Sequence, residues 1–175
     1  MSTRSRPAGP RARAQRLALT VQYGATRKGL PQRGSIEAWL RAALEGSSRA
    51  SSGRSVSVTV RFVGAAEGRR LNREFRSRDY ATNVLTFTYD APASHARAAA
   101  PSHEISGDLV LCAPVVKREA TEQEKPLRAH YAHLTVHGLL HLLGHDHERK
   151  AEADAMEAME TRILAGLGYP DPYAA

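Results

Sequence analysis

His137-Gly-Leu-Leu-His141-Leu-Leu-Gly144-His145-Asp146-His147 holds four of the chain's eight histidines within eleven residues. The apolar residues between the histidines, and those upstream, predict one long helix from Leu127 to Leu143. Pro126 stands just before it and Gly144 just after it, as expected for a helix start and stop. His137 and His141 are four apart, so their rings lie one turn apart on the same face. That spacing lets a helix offer two nitrogens to one zinc ion at about 2.0–2.1 Å. Gly144 permits a sharp turn, after which a third ligand can return, and His147 is placed for it. Three protein ligands leave a fourth position open, which is the pattern of a catalytic rather than a structural zinc.

Working outward, Ala151 to Leu167 reads as a second long helix, with Met156, Met159, Ile163 and Leu167 at helical spacing as core residues. Gly168 and Pro170 close it. Upstream of the histidines, Val115 to Gln123 suits a helix after Pro114, and Asp108–Cys112 reads as a largely buried strand. Residues 90–103 are rich in Ala, Pro and Ser and predict a mobile loop, about 90–104. Asn83–Tyr89 and Val56–Val63 alternate as strands, as do residues 16–23. A helix from Ala65 to Phe75 would bury Leu71 and Phe75, and Ser35 would cap another from Ile36 to Glu45. Residues 46–54 form a Gly/Ser/Arg loop. The expected fold is α/β (α+β), a single domain over 16–173 with a four-stranded mixed sheet packed by about five helices, its zinc site at the end of the long central helix.

Composition sets the limits. The 175 residues suffice for one domain with a real core, and no apolar run reaches the roughly 18 residues of a spanning helix. No apolar signal segment follows Met1, and the one cysteine, Cys112, excludes an internal disulfide, so the expected location is cytoplasmic. The net charge is +7, but residues 1–36 carry eight Arg or Lys and no acid, leaving 17 basic against 18 acidic side chains elsewhere. The excess belongs to an N-terminal arm, with residues 1–15 expected to be disordered. Such an arm could touch phosphates non-specifically, serve only as a solubilising tail, or represent an organelle transit peptide.

The His-x3-His-x5-His spacing, with Gly three residues after the second His, equals that of the metzincin peptidases. Their catalytic Glu follows the first His directly, and here that position is Gly138, which cannot accept a proton. His145 competes with His147 as third ligand, and the matching spacing favours His147. His133, one turn before His137, is expected to be a packed group beside the ligands. Asp146 could orient a ligand or cap the next helix. Residues 61–78 hold six arginines, of which Arg69, Arg73 and Arg76 share a helical face suited to forked contacts with phosphate.

Leu71-Asn-Arg-Glu-Phe-Arg76-Ser-Arg-Asp79-Tyr-Ala-Thr82-Asn83-Val-Leu-Thr-Phe87, Gly107-Asp-Leu-Val, the histidine run and the ending Leu167-Gly-Tyr-Pro-Asp-Pro-Tyr173 together resemble the YbeY-type endoribonucleases. The resemblance implies a zinc-dependent, single-strand-specific endoribonuclease acting in 16S ribosomal RNA 3′-end maturation and ribosome quality control. It implies one Zn2+ per chain on His137, His141 and His147, a catalytic Arg76, and as partners single-stranded RNA, ribosomal RNA and the small ribosomal subunit, with no membrane and no disulfide partner. Three positions depart from the pattern: His145 replaces a usual Tyr, Ala81 a usual Pro, and residues 91–103 enlarge a loop. No general base is evident, so either a water or the RNA 2′-hydroxyl would attack phosphorus. The rival readings are a metallopeptidase and a non-catalytic, zinc-stabilised ribosome-assembly factor.

Overall fold

The computed structural model describes residues 16–47, 53–89, 104–145 and 149–174. The expected disordered arm over 1–15, the body of the expected loop over 90–103, and both Asp146 and His147 lie outside the described residues. Elsewhere the chain runs β1 (Leu17–Tyr23), α1 (Arg33–Gly46), β2 (Ser55–Val63), α2 (Ala65–Arg76), β3 (Val84–Thr88), β4 (Glu104–Cys112), α3 (Ala113–Glu122), α4 (Leu127–Leu142) and α5 (Lys150–Gly166). This is the expected four-stranded mixed sheet with five helices, among the described residues. The strand order is β1-β2-β4-β3. β1 and β4 flank β2 in parallel, and β3 pairs antiparallel with β4 on the edge.

Two apolar clusters sit on opposite faces of this sheet. Val56, Val58, Val60 and Phe62 of β2, with Ile105, Leu109 and Leu111 of β4, pack under α1, α4 and α5. The alternate residue of β4, Val110, faces the other way with Cys112, Leu85 and Val115, and Leu71 of α2 covers them. Alternation along a strand therefore builds a three-layer domain. α1 buries the expected stripe of Ile36, Trp39, Leu40, Ala43 and Leu44. It starts earlier than expected, at Arg33, with Gln32 rather than Ser35 at its N-cap. α5 lays Met156, Ile163 and Leu164 into the core, and Met159 and Leu167 pack against it.

α4 is buried on nearly every side, including Tyr131, Leu134, Val136, Leu139, Leu140 and Leu142. A helix apolar all round belongs in the middle of a domain, and α4 touches α1, α3, α5, β3 and β4. Its seat on the sheet depends on Gly138, where a Cβ would stand 2.7 Å from Leu109 Cδ2.

Two expectations are corrected. β4 begins at Glu104, four residues earlier than the expected Asp108, because Glu104–Gly107 pair with Ser55–Val58. Gly107 interrupts the apolar alternation for a steric reason: a Cβ there would lie 2.4 Å from both Leu142 Cδ2 and the Phe87 carbonyl oxygen. In α2 the buried residues are Gly68 and Asn72 rather than Leu71 and Phe75. A Cβ on Gly68 would approach Cys112 Sγ to 2.9 Å, so the helix lies close on β4 along its small side. Leu71 is half-buried and Phe75 remains exposed, its ring edge-on to Phe87 at 5.0 Å.

Candidate metal centre

The last turn of α4 and the end of α2 face each other across a cleft of about 790 Å³ beside β3. His137, His141, Gly144 and His145 line one side, and Arg76, Arg78 and Tyr80 line another. Thr82, Asn83, Val84, Thr86 and Thr88 also line it, and no carboxylate does so among the described residues.

On the α4 side, the Nε2 atoms of His137 and His141 stand 3.1 Å apart, with ring planes inclined at 80°. Two nitrogens bound to one tetrahedral zinc at its usual bond length stand about 3.3 Å apart. The pair fits that geometry without rearrangement of the helix. Gly144, with φ +90°, ends α4 in the left-handed conformation that favours glycine, and turns the chain into His145. His145 reaches the cleft, and its Nε2 atom is enclosed without a hydrogen-bond partner. The expected third ligand, His147, belongs to the undescribed residues.

The side of His137 turned away from the cleft reveals a residue that sequence reasoning missed. Glu160 of α5 is fully buried. Its Oε1 lies 2.8 Å from His137 Nδ1, and its Oε2 lies 3.0 Å from His133 Nε2. The Tyr173 hydroxyl also donates to Oε2. Burial pushes the Glu160 carboxyl up, but the hydrogen bonds from His133, His137 and Tyr173 outweigh it and bring it down to about 2. The Tyr173 hydroxyl is pushed far above its usual range by burial and by that carboxylate. His133 packs edge-on to the His137 ring, at 6.1 Å between centroids. The ligand-type atoms of His133, His137 and Glu160 lie within 4.8 Å of one another, a set that could hold a metal ion. These groups already satisfy one another, however, and Glu160 is sealed from solvent. The Nε2 atoms of His137 and His141, by contrast, face the open cleft. The signal for Glu160 in the sequence was a lone acid on the apolar stripe of α5, four residues after Met156 and four before Leu164.

Across the cleft, the arginines separate by their partners. Arg69 forks onto Asp79 at 2.9 and 2.7 Å, and Arg73 approaches the same carboxylate at 3.9 Å. Hydrogen bonding to Arg69 holds the Asp79 carboxyl below its usual range. Arg70 pairs with Glu74 and Glu67. Arg76 has no acidic partner among the described residues and lines the cleft. The chain after α2 is fixed by Ser77 at φ 56°, by Arg78 N–H donating to the Asn72 carbonyl at 3.3 Å, and by Asn72 Nδ2 donating to the Tyr80 carbonyl at 2.7 Å. This turn carries Arg78 and Tyr80 to the rim. On the floor, Asn83 Nδ2 donates to Glu119 of α3 at 3.0 Å, and Glu119 meets His130 of α4 at 2.9 Å, tying β3 to two helices.

Comparison with known proteins agrees with this architecture. The sequence profile described as Endoribonuclease YbeY matches residues 25–168. The chain belongs to the YbeY endoribonuclease family. A relative from Aromatoleum aromaticum named Endoribonuclease YbeY is 56% identical over 164 residues, covering 92% of this chain and 95% of its own. One from Stenotrophomonas maltophilia is 52% identical over 159 residues, covering 91% and 94%. The solution structure of TM1509 from Thermotoga maritima shares the fold at 20% identity, with a TM-score of 0.53, covering 90% of this chain and 99% of that one. The YbeY profile spans the arginine helix, the turn to Tyr80, the histidine run and Glu160, so every element of the cleft falls within it.

Proposed function

We propose that the protein is a single-strand-specific, zinc-dependent endoribonuclease that acts in the cytoplasm on the 3′ end of 16S ribosomal RNA within the small ribosomal subunit, and in ribosome quality control. One observation carries the reading: a pair of converging histidine nitrogens and an arginine with no acidic partner among the described residues line one cleft that, among those residues, has no carboxylate. His137 and His141 would hold the zinc with His147, and His145 is the alternative third ligand. Zinc bound there supplies Lewis-acid stabilisation of a phosphate oxygen and lowers the pKa of a bound water. Arg76 forks onto the phosphate oxygens and stabilises the charge that builds as phosphorus is attacked. The Tyr80 ring, 53% exposed on the rim beside Arg78, offers a stacking face to an unpaired base, which favours single strands over duplexes.

Neither rival reading gains support. A metallopeptidase needs a carboxylate at position 138. That position faces the sheet, where even a Cβ would meet Leu109 Cδ2 at 2.7 Å and Thr86 Oγ1 at 3.4 Å. A purely structural zinc is not required by this core, which assembles from apolar residues on both sheet faces.

The test is cleavage of a single-stranded RNA together with zinc content. His141→Ala should lose the zinc and the cleavage together. Arg76→Ala should keep one zinc per chain while kcat falls about 10²–10³-fold, the usual loss when one group stabilising transition-state charge is removed. Full cleavage by a zinc-free His141→Ala protein would overturn the reading.

A further inference from the structure

Glu160 is expensive to keep where it is. A carboxylate sealed from water loses its hydration, and an apolar side chain of similar volume generally serves packing as well or better. Its neighbours on the buried side of α5 are Met156, Ile163 and Leu164, any of which shows what would suit the space. Yet both carboxylate oxygens are engaged, one by a single group and the other by two.

The single group is His137. Glu160 Oε1 lies 2.8 Å from His137 Nδ1, and a neutral imidazole that offers its Nε2 to zinc carries its one proton on Nδ1, from which it donates to that oxygen. The ring proton is then assigned, and Nε2 is left with its lone pair directed toward the cleft, 3.1 Å from His141 Nε2. The two-group side holds the carboxylate itself. His133 Nε2 lies 3.0 Å from Oε2, and the Tyr173 hydroxyl reaches the same oxygen while standing 3.3 Å from His133.

Tyr173 is not loosely placed. The turn that bears it is fastened at four points, three on the helices α1, α4 and α5 and one on the loop between α3 and α4. The Tyr169 hydroxyl accepts from Trp39 Nε1 at 3.1 Å and Arg128 Nε at 3.0 Å. Lys125 Nζ donates to the Pro172 carbonyl. Asp171 accepts from Thr161 Oγ1 at 3.2 Å and from the Tyr173 backbone N–H at 2.9 Å.

The geometry points to Glu160 as a positioning residue of the metal centre: its carboxylate, oriented by His133 and by Tyr173 of the C-terminal turn, fixes the tautomer and aim of His137. The C-terminal turn is therefore part of the support of the zinc site, although it lies on the opposite side of His137 from the cleft. A ligand histidine whose other nitrogen donates to a carboxylate is both more basic and less free to rotate, and loss of that partner typically weakens metal binding 10–100-fold. The inference rests on zinc binding at His137 and His141, as proposed above.

The experiment measures zinc affinity by competition with a chromogenic chelator for the full-length protein, Glu160→Gln and Tyr173→Phe. Histidine side-chain 15N spectra of the three metal-free proteins are recorded alongside. Glu160→Gln is expected to raise the zinc dissociation constant 10–100-fold and to lose the single Nδ1–H signature of His137. Tyr173→Phe, in which the ring is kept and only the hydroxyl goes, is expected to raise it several-fold with the metal-free fold unchanged by circular dichroism. A merely structural Glu160 would lower thermal stability while leaving both the tautomer and the affinity of the folded protein alone. Zinc affinity within twofold of the parent for the folded variants overturns the inference. If Glu160→Gln does not fold, Tyr173→Phe alone decides, since its side chain is 43% exposed. Absence of zinc from the parent protein would instead overturn the metal assignment itself.

Discussion

Arginine and tyrosine residues at the mouth of the cleft differ in what surrounds them, and that difference decides what each can do. Arg69 and Arg73 share Asp79, and Arg70 lies between Glu67 and Glu74, so these three are already engaged. Arg76 and Arg78 have no acidic partner among the described residues, and Tyr80 stands beside them with its hydroxyl 3.5 Å from Arg78. Stacking of a base on an aromatic side chain contributes about 1–3 kcal/mol and needs only the ring face. Tyr80→Ala is therefore expected to raise KM for single-stranded RNA about 5–150-fold at nearly constant kcat, whereas Tyr80→Phe should stay close to the parent. Steady-state kinetics on a short unstructured RNA check this, and equal KM values for the Ala and Phe variants would exclude stacking. The distinction among the arginines was not legible in the sequence. Helical spacing places Arg69, Arg73 and Arg76 on one face, and only the turn at Ser77 brings Asp79 back to the first two. The His137–His141 pair was legible because both residues lie on one helix at fixed spacing. Glu160 was hidden because its partners His133 and His137 lie 27 and 23 residues away on another helix.

At the scale of elements, the cleft exists because α4 and β3 are pressed against β4 at two glycines. Gly107 and Gly138 both lack the Cβ that would separate the layers, at 2.4 Å and 2.7 Å from their nearest neighbours. The two sites differ in what would have to move. Gly138 faces the end of the Leu109 side chain, which can shift in part. Gly107 faces the backbone oxygen of Phe87, so a side chain there displaces the edge strand that floors the cleft. Gly107→Ala is expected to destabilise the fold by about 1–3 kcal/mol, the range for overpacking a filled interior. In a protein of this size that is a fall in Tm of about 2–12 °C, measurable by calorimetry on the metal-free protein. An unchanged Tm would mean that β3 yields freely. These glycines also mark where the sequence reading fell short. Apolar periodicity with Pro126 and Gly144 outlined α4 to within a residue, because both ends carry strong local signals. The first half of β4 carries Gly107 at a position facing the core, and α2 buries Gly68 and Asn72, so close packing hid both buried faces from an apolar pattern.

For the whole molecule, positive charge is concentrated at the start of the sequence. The four arginines of residues 1–15 come with no acid, and the eight basic residues of 1–36 account for more than the whole net charge of +7. No helix among the described residues is long and apolar enough to cross a membrane. A cationic excess of this kind suits a polyanion such as RNA, and Arg76 and Arg78 line the cleft. We expect the arm to act as a second, sequence-independent hold on RNA phosphates, acting on affinity rather than on chemistry. Each phosphate neutralised on a single strand contributes about 0.7 to the slope of log K against log salt. Deleting residues 1–15 removes four positive charges, so the slope should fall by up to about 3 if all four engage. Affinity should drop most at low salt, where released counterions matter most. The cleavage rate at saturating RNA should stay unchanged, since none of the cleft-lining residues is removed. Binding of the full chain and of the truncated chain to a single-stranded RNA across a salt series, with single-turnover cleavage measured on the same samples, separates the two contributions. An identical slope for both chains would show that the arm does not touch RNA, and a fall in the saturated cleavage rate would place it at the reacting phosphate instead.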